Sequence, residues 1–416
     1  MGTSSNSGAN RSEAGISFAH AASVTETVER TRAYVREVAL PIEQQYRGSA
    51  HDLPEEIRQE LQQRAKDAGV FAPHVGIEYG GLGLDMRDRA PVFEAAGYSL
   101  FGPLGLNCAA PDEGNTHLLE QVATAEQKQR FLRPLASGEI RSCFAMTEPA
   151  PGAGSDPTAL MTRAERTGGG WRINGRKWFI TGANGASFAI IMARTSGEPG
   201  ARGGATMFLT DTDVPGFRRV RDIGTLDESL IGGHSELIFE DLEVGQDAVL
   251  GEVDKGFEYA QVRLGPARMT HCMRWLGTAR RAADIAATRA ASRKAFGSRL
   301  GDLGMIQQLI ADNEIDIETS RAIILKACFE LDTATGVGGD TAQITSIAKT
   351  FVAEAVNRVV DRSFQVCGSL AVSVDDAPLA RLYREARPFR IYDGPSETHR
   401  WAIARRVLRS IEKDGR

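Results

Sequence analysis

Cysteine is scarce and scattered, with five residues in 416 (Cys108, Cys143, Cys272, Cys328 and Cys367) and no C-x-x-C pair. An odd, dispersed set supplies neither a disulfide framework nor a structural zinc site. The seven histidines show no H-x-x-x-H spacing, so a metal enzyme is not expected. No apolar run approaches the ~20 residues a membrane-spanning helix requires. Neither sign of charge dominates, with 49 basic against 54 acidic residues and a net charge of −5. A general nucleic-acid or membrane-surface binder needs a concentrated basic face, and the mild acidity argues against that class. Aromatics are only 7%, yet at 42% hydrophobic the chain is long enough to bury a large core without covalent staples. The opening MGTSSNSGANRSEAG has no apolar stretch of the kind a signal peptide carries and reads as a disordered lead over residues 1–21. A reducing cytoplasm is the expected compartment.

What is present falls into three blocks: helical over 22–140, β over 141–253, and helical again over 254–416. In the first block, TETVERTRAYVREVALPIEQQY and LPEEIRQELQQRAKDAGV place apolar residues at helical spacing. Thr25 reads as an N-cap, Pro41 as lying near a helix end, and Pro54 and Gly69 as bracketing the second helix. YGGLGLD (79–85) interrupts the run. After Gly138 come short apolar or alternating segments punctuated by Gly, Pro and Asn: SCFAMTEP, GGWRINGRKWFITG, FAIIMART, ATMFLTD and HSELIFEDLEV. The N-G of WRINGRKWFI predicts a hairpin turn. Long amphipathic segments follow at 256–294, 302–331, 341–367, 378–388 and 396–412, with GVGGD (336–340) as a turn. Helices and strands are segregated, which predicts an α+β fold rather than a doubly wound sheet; no G-x-G-x-x-G follows a strand.

SCFAMTEPAPGAGSD (142–156) is a strand running into a Gly/Pro loop. Such a loop exposes backbone N–H groups, and Thr147, Ser155 and Asp156 add polar side chains, a combination suited to the polar edge of a cofactor. With NGRKWFITG, YGGLGLD, RKAFGSRL (293–300), QVCGSL (365–370) and IYDGPSETHR (391–400), taken in order, the chain resembles the acyl-CoA dehydrogenase family over nearly its whole length after residue 25. The resemblance implies an N-terminal helical domain, a small central β-barrel domain and a C-terminal four-helix bundle. It also implies FAD at a subunit interface of a homotetramer or dimer. The base segment is D-G-P, and with APDEGN, GGHSE and RLGPARMTHCMR it looks most similar to the branch associated with 4-hydroxyacyl-CoA substrates.

Carried over residue by residue, the resemblance puts Phe144, Ala145, Met146 and Thr147 against the flavin and Ser155 near the pantetheine or the flavin phosphates. It puts Phe179 in a stacking place that many relatives fill with Trp, and Thr181 at flavin N5. Arg293 and Phe296 would reach the FAD of a neighbouring subunit, Gln365 and Gly368 its adenine half, and Glu397 the flavin. Arg268 and Gly394 would meet the substrate. Asp393 stands where most relatives have Glu, and is the implied base. A carboxylate there takes the α-proton of an acyl thioester while a hydride leaves the β-carbon; the oxyanion would meet the Asp393 N–H and a ribityl hydroxyl. Gly265–Arg268, where some relatives carry the base, holds no carboxylate. Departures are the two extra loop residues Ala150 and Pro151, and Gly304 in place of a FAD-contacting Gln, for which Gln307 or Gln308 could substitute. The acyl carrier is CoA or a carrier protein, and the electron acceptor an electron-transfer flavoprotein or similar. Two alternatives stay open: a nitroalkane-oxidase-like enzyme using Asp393 on a carbon acid, and a non-catalytic thioester-binding relative.

Overall fold

In the computed structural model, residues 19–46, 48–334 and 341–413 are described, and the expected GVGGD turn lies outside them. The first helix, α1 (Ala22–Tyr34), starts three residues before Thr25, whose hydroxyl instead bonds back to the Ala21 carbonyl at 3.4 Å. Thr25 is therefore inside the first turn and not its cap. The helical path also continues past Pro41. A π-helical segment, Val35–Ala39, hands over to Leu40–Gln45, and Pro41 sits in the opening turn of that piece, where a missing N–H is tolerated. α2 (Glu55–Asp67) follows Pro54 and ends before Gly69, at φ +65°. α3 (Met86–Ala96) is capped by Asp85, whose carboxylate accepts from Asp88 N at 2.8 Å, and α4 spans Asp112–Val122.

The strands are β1 (Ser142–Ala145), β2 (Arg163–Arg166), β3 (Gly170–Thr181), β4 (Phe188–Arg194), β5 (Ala205–Asp211), β6 (Phe217–Ile223), β7 (His234–Gly245) and β8 (Val249–Leu250). They form one sheet in the order β6-β7-β3-β2-β4-β5-β8, with β1 parallel beside β4. The expected N-G hairpin is not there. Asn174–Gly175 lies inside the continuous β3 as a register shift against β7. A Cβ at Gly175 would sit 2.7 Å from Thr162 Cα, so the glycine admits a close backbone approach. Asn174 is held across the sheet by Asp241, through its amide to the carboxylate at 3.1 Å and its oxygen to the Asp241 N–H at 2.8 Å. The turn is at residues 167–169 instead, closed by Thr167 N to Gly170 O at 3.0 Å. β4 is buried throughout because both its faces are covered. Phe188, Ile190 and Met192 join the helical core, while Ala189, Ile191 and Ala193 pack inside the sheet with Trp171, Ile173 and Phe208.

The last block comprises α5 (Gly256–Ser292), α6 (Gly304–Thr333), α7 (Ala342–Cys367), α8 (Leu379–Ala386) and α9 (Ser396–Lys413). The helices of the first and last blocks share one core, in which Phe93, Leu104, Met269, Leu276, Ile317, Val352 and Phe389 meet. α3 and α5 cross where Gly97 faces Gly277. A Cβ at Gly97 would lie 1.9 Å from the Arg274 carbonyl, and one at Gly277 2.0 Å from that of Glu94. Backbone contact at this crossing sets the height of the Arg263–Arg274 stretch of α5. Among the described residues no helix is long and apolar enough to cross a membrane.

Candidate active site

The loop after β1 is built around a buried carboxylate. Glu148 Oε1 accepts from Lys177 Nζ and from Thr162 N, both at 2.9 Å, and Oε2 from Met161 N at 2.7 Å and Ala153 N at 3.2 Å. Burial opposes the charge on Glu148, but Lys177 and the donors around it outweigh burial and hold its carboxyl below the ordinary value. Lys177 belongs to β3 and is itself fully buried, so the pair pins the loop to that strand. Trp178 N to Thr147 O, 3.0 Å, adds a backbone tie. Thus the TEP and NGRKWFIT segments are brought together.

Past Lys177 the register of β3 with β7 shifts again before Ile180, and Phe179 takes φ +51°. A bulky residue occupies this left-handed region only where its surroundings impose it. The ring is turned outward and 45% exposed, edge-on to Trp178 at 5.0 Å. Two residues on, Thr181 lies directly opposite His234 of β7. Its Oγ1 is 3.0 Å from His234 Nδ1, and His234 Nε2 is 3.0 Å from Asp227 Oδ2. Phe144 and Met146 are partly buried on the way from β1. Ala145 is fully buried inside the sheet, so only its backbone can serve a ligand. Ser155 is exposed on the loop.

Asp393 lies in the connection between α8 and α9 at φ +53°, followed by Gly394 at φ +98°. Its Oδ2 is buried without a hydrogen-bond partner and 3.4 Å from His271 Nε2. Burial opposes ionisation, but the charges around the carboxyl, the Arg263, Arg268 and Lys349 cations among them, outweigh it and draw it below its ordinary value. Burial also pushes the His271 imidazole down to about 3, with Arg274 adding to the effect, so at neutral pH this ring is uncharged. The turn is fastened through its carbonyls. Arg268 Nε donates to Asp393 O at 3.2 Å, His399 Nε2 lies 3.1 Å from the same oxygen, and Lys349 Nζ donates to Gly394 O at 2.8 Å and Phe389 O at 2.9 Å. Gly394 is required here: a Cβ would come within 2.7 Å of His399 Nε2. Trp275 Nε1 donates to the Tyr392 hydroxyl beside it.

The floor beneath is polar and buried. Arg263 lies over the Phe144 ring at 4.3 Å and donates to Asn115 Oδ1 at 2.8 Å. Glu113 of α4 accepts from the Thr270 hydroxyl at 2.8 Å through Oε2, and its Oε1 is buried without a partner. Arg274 donates to Cys108 O at 2.7 Å and lies 3.1 Å from His271 Nδ1. Sequence reasoning missed Glu113, Arg263, His271, Arg274 and Lys349 as site residues. The available signal was the stripe Arg263, Thr270, His271 and Arg274, a polar face at helical spacing in a helix that otherwise buries apolar residues.

The other expected residues lie elsewhere. Arg293 ends α5, its carbonyl accepting from Leu300 N at 2.8 Å. Phe296 tips the short hairpin of 294–299 at φ +52° and is 94% exposed. Gln365 is exposed near the end of α7, and Gly368, at φ +60°, terminates it. Glu397 is exposed in the first turn of α9, 3.9 Å from Arg400. Gly304 opens α6, and Gln307 is engaged with the Gly301 carbonyl at 3.0 Å. Among the described residues no hydrogen bond, ion pair or ring contact joins Arg293, Phe296, Gln365, Gly368 or Glu397 to Asp393, Thr147, Phe179 or Thr181.

Three family models match the chain: acyl-CoA dehydrogenase, N-terminal domain over residues 23–139, middle domain over 143–242, and C-terminal domain over 254–408. The chain is 39% identical over 365 residues to the Mycobacterium tuberculosis protein named "Probable acyl-CoA dehydrogenase FadE2", covering 87% of this chain and 88% of that one. It is 38% identical over 362 residues to acyl-CoA dehydrogenase family member 11 of Homo sapiens, covering 85% of this chain but 45% of the relative, so it spans under half of that longer protein. Among solved structures, butyryl-CoA dehydrogenase from Megasphaera elsdenii is 25% identical, with a TM-score of 0.81 over 94% of this chain and 100% of that one.

Proposed function

The chain belongs to the acyl-CoA dehydrogenase family and is an FAD-dependent oxidoreductase, and from that premise we propose that it dehydrogenates an acyl thioester to the trans-2-enoyl product with Asp393 as the α-proton base. The observation that carries this reading is the state of Asp393: a partly buried carboxylate held below its ordinary value, its Oδ2 buried and free of hydrogen bonds, on a turn fastened by Arg268, His399 and Lys349. A base used in this way must be partly desolvated, ionised and unoccupied.

The residues fit the cofactor. The half-exposed Phe179 offers an aromatic face held in an imposed conformation, and Thr147 and Thr181 bring hydroxyls to the same region. Thr147, Phe179 and Thr181, with Phe144 and Met146, would hold the flavin ring. Arg293, Phe296, Gln365, Gly368 and Glu397 stand apart from them and would serve the FAD of a neighbouring subunit. Bound FAD supplies the hydride acceptor. The protein's share is geometric and electrostatic: Asp393 accepts the proton, the Asp393 N–H meets the thioester oxygen, and the buried floor keeps water from the reacting carbons.

Asp393 is one methylene shorter than the glutamate of most relatives; the Arg263 charge acts on it, and Arg263 is bonded to Asn115 of α4, the helix whose Glu113 keeps Oε1 unpartnered. Both features support an acyl chain with a polar substituent near the reacting carbons, in keeping with the 4-hydroxyacyl reading. Ser155 and Gly394 would meet the thioester, CoA or carrier-bound, while Arg268 acts from behind the turn. Electrons would leave to an electron-transfer flavoprotein in the cytoplasm, and the enzyme would work as a homo-oligomer.

The test is anaerobic titration of the yellow protein with acyl-CoAs of graded length and hydroxylation, following the oxidised flavin band. Bleaching by one class, abolished in Asp393→Asn with FAD retained, is the expected result. Near-normal bleaching in that variant removes Asp393 as the base. Bleaching by nitroalkanes and by no thioester would replace the reading with the carbon-acid one.

A further inference from the structure

Thr181 is not a free hydroxyl. It is the first member of a fixed three-residue chain: Thr181 Oγ1 at 3.0 Å from His234 Nδ1, and His234 Nε2 at 3.0 Å from Asp227 Oδ2. The chain is held from several sides. Strand register sets Thr181 opposite His234, and Gly182 N bonds Gly233 O at 2.9 Å. The segment carrying Asp227 is tied by Ala50 N to Glu228 O at 2.7 Å, and by Glu228 N and the Ser229 hydroxyl to Glu385 at 2.7 and 2.6 Å. The His51 ring meets His234 edge-on at 6.0 Å. His234 and Asp227 are both nearly buried.

Donor and acceptor roles follow from chemistry. Burial works against the charge on Asp227, but the His234 hydrogen bond and further donors outweigh it, so the carboxylate is ionised and can only accept. The carboxylate can accept only from Nε2–H, and in the imidazole tautomer so fixed Nδ1 presents a lone pair. The Thr181 O–H must donate to that lone pair, which leaves the Thr181 oxygen facing outward as an acceptor. We propose that His234 and Asp227 are positioning residues that set Thr181 as a hydrogen-bond acceptor, so that it favours the reduced flavin, whose N5 carries a proton, over the oxidised flavin, whose N5 offers only a lone pair. This rests on the proposed placement of Thr181 beside flavin N5.

Replacing His234 by Phe keeps a flat ring but frees the Thr181 hydroxyl to donate to oxidised N5. Replacing Asp227 by Asn lets the amide donate to Nε2 and moves the histidine proton to Nδ1, reversing the role of Thr181. Both changes lower the flavin's preference for the reduced state.

The experiment is measurement of the two-electron midpoint potential and the oxidised flavin spectrum of FAD-loaded wild type, Thr181→Val, His234→Phe, His234→Asn and Asp227→Asn, with melting temperature as a control for folding. His234→Phe and Asp227→Asn are expected to shift the oxidised-to-reduced equilibrium about tenfold toward oxidised, a fall of about 30 mV for a two-electron couple. His234→Asn, whose amide oxygen can stand in for Nδ1, should recover at least half of that shift. If Thr181→Val moves the potential and spectrum while the His234 and Asp227 variants that fold do not, the positioning role is overturned and the placement of Thr181 survives. If Thr181→Val also moves neither, the placement falls and the positioning role with it.

Discussion

Asp393 and Lys349 divide the electrostatic work at the base. Burial works against Asp393, and its surroundings win, so the carboxyl lies below its ordinary value of 3.8. A base is competent when ionised, so the acidic limb of the bleaching rate is expected below pH 3.8, with no loss between pH 5 and 7 from this group. Lys349 loses ground to burial, which brings it from 10.5 to about 8 even though Asp393 pulls the other way. Lys349→Met removes one of the charges that keep Asp393 ionised, so the acidic limb should move up. It also leaves the Phe389 and Gly394 carbonyls without their donor, at a cost of about 1–3 kcal/mol in a denaturant melt. An acidic limb that stays in place in this variant would remove Lys349 from the electrostatics of the base. None of this was legible in the sequence beyond the D-G-P signature, because Lys349 reads there as one cation of a long amphipathic helix, and only packing strips it of water.

At the scale of elements, two contacts decide where the site's parts stand. The first is the α3–α5 crossing, where Gly97 and Gly277 allow backbones to touch. Gly277→Ala should push the helices apart and destabilise the protein by about 1–3 kcal/mol, and bleaching should slow as well, because α5 carries Arg263, Arg268 and His271. The second is the anchoring of the segment that carries Asp227 to Glu385 of α8. Burial is the main reason Glu385 rises from 4.5 to about 7, with Asp227 adding to it. Because the folded-state value is the higher one, the stability this group contributes is present below pH 4.5 and is lost as pH rises through about 7. Glu385→Gln stays neutral, so the melting temperature of the variant relative to wild type should increase from pH 5 to pH 8. A difference constant across that range would show that Glu385 is already ionised in the fold. Strands β1, β4, β5 and β7 were readable from alternation and apolar runs. The N-G pair misled because a glycine accommodating Thr162 and a glycine in a turn look alike in sequence.

At the scale of the whole molecule, the exposed Phe296 and the apolar residues left outward on α9, Trp401, Val407, Leu408 and Ile411, support the proposed homo-oligomer. Leu408→Glu is expected to lower the mass measured by sedimentation while leaving the fold intact. Arg293→Ala should lose FAD on gel filtration, because a buried diphosphate would lack its charged partner; unchanged occupancy would withdraw that role. The sequence by itself determined the helix–sheet–helix order, the long helices of the last block and the family, because hydrophobic periodicity and ordered motifs are local properties of the chain. It also pointed to Asp393 and Thr181 through the segments around them. Only the tertiary structure decided what surrounds those two residues: His271, Arg268, His399 and Lys349 around the first, His234 and Asp227 behind the second. These partners come from distant stretches of chain and acquire their chemistry from shared burial, which no local pattern encodes.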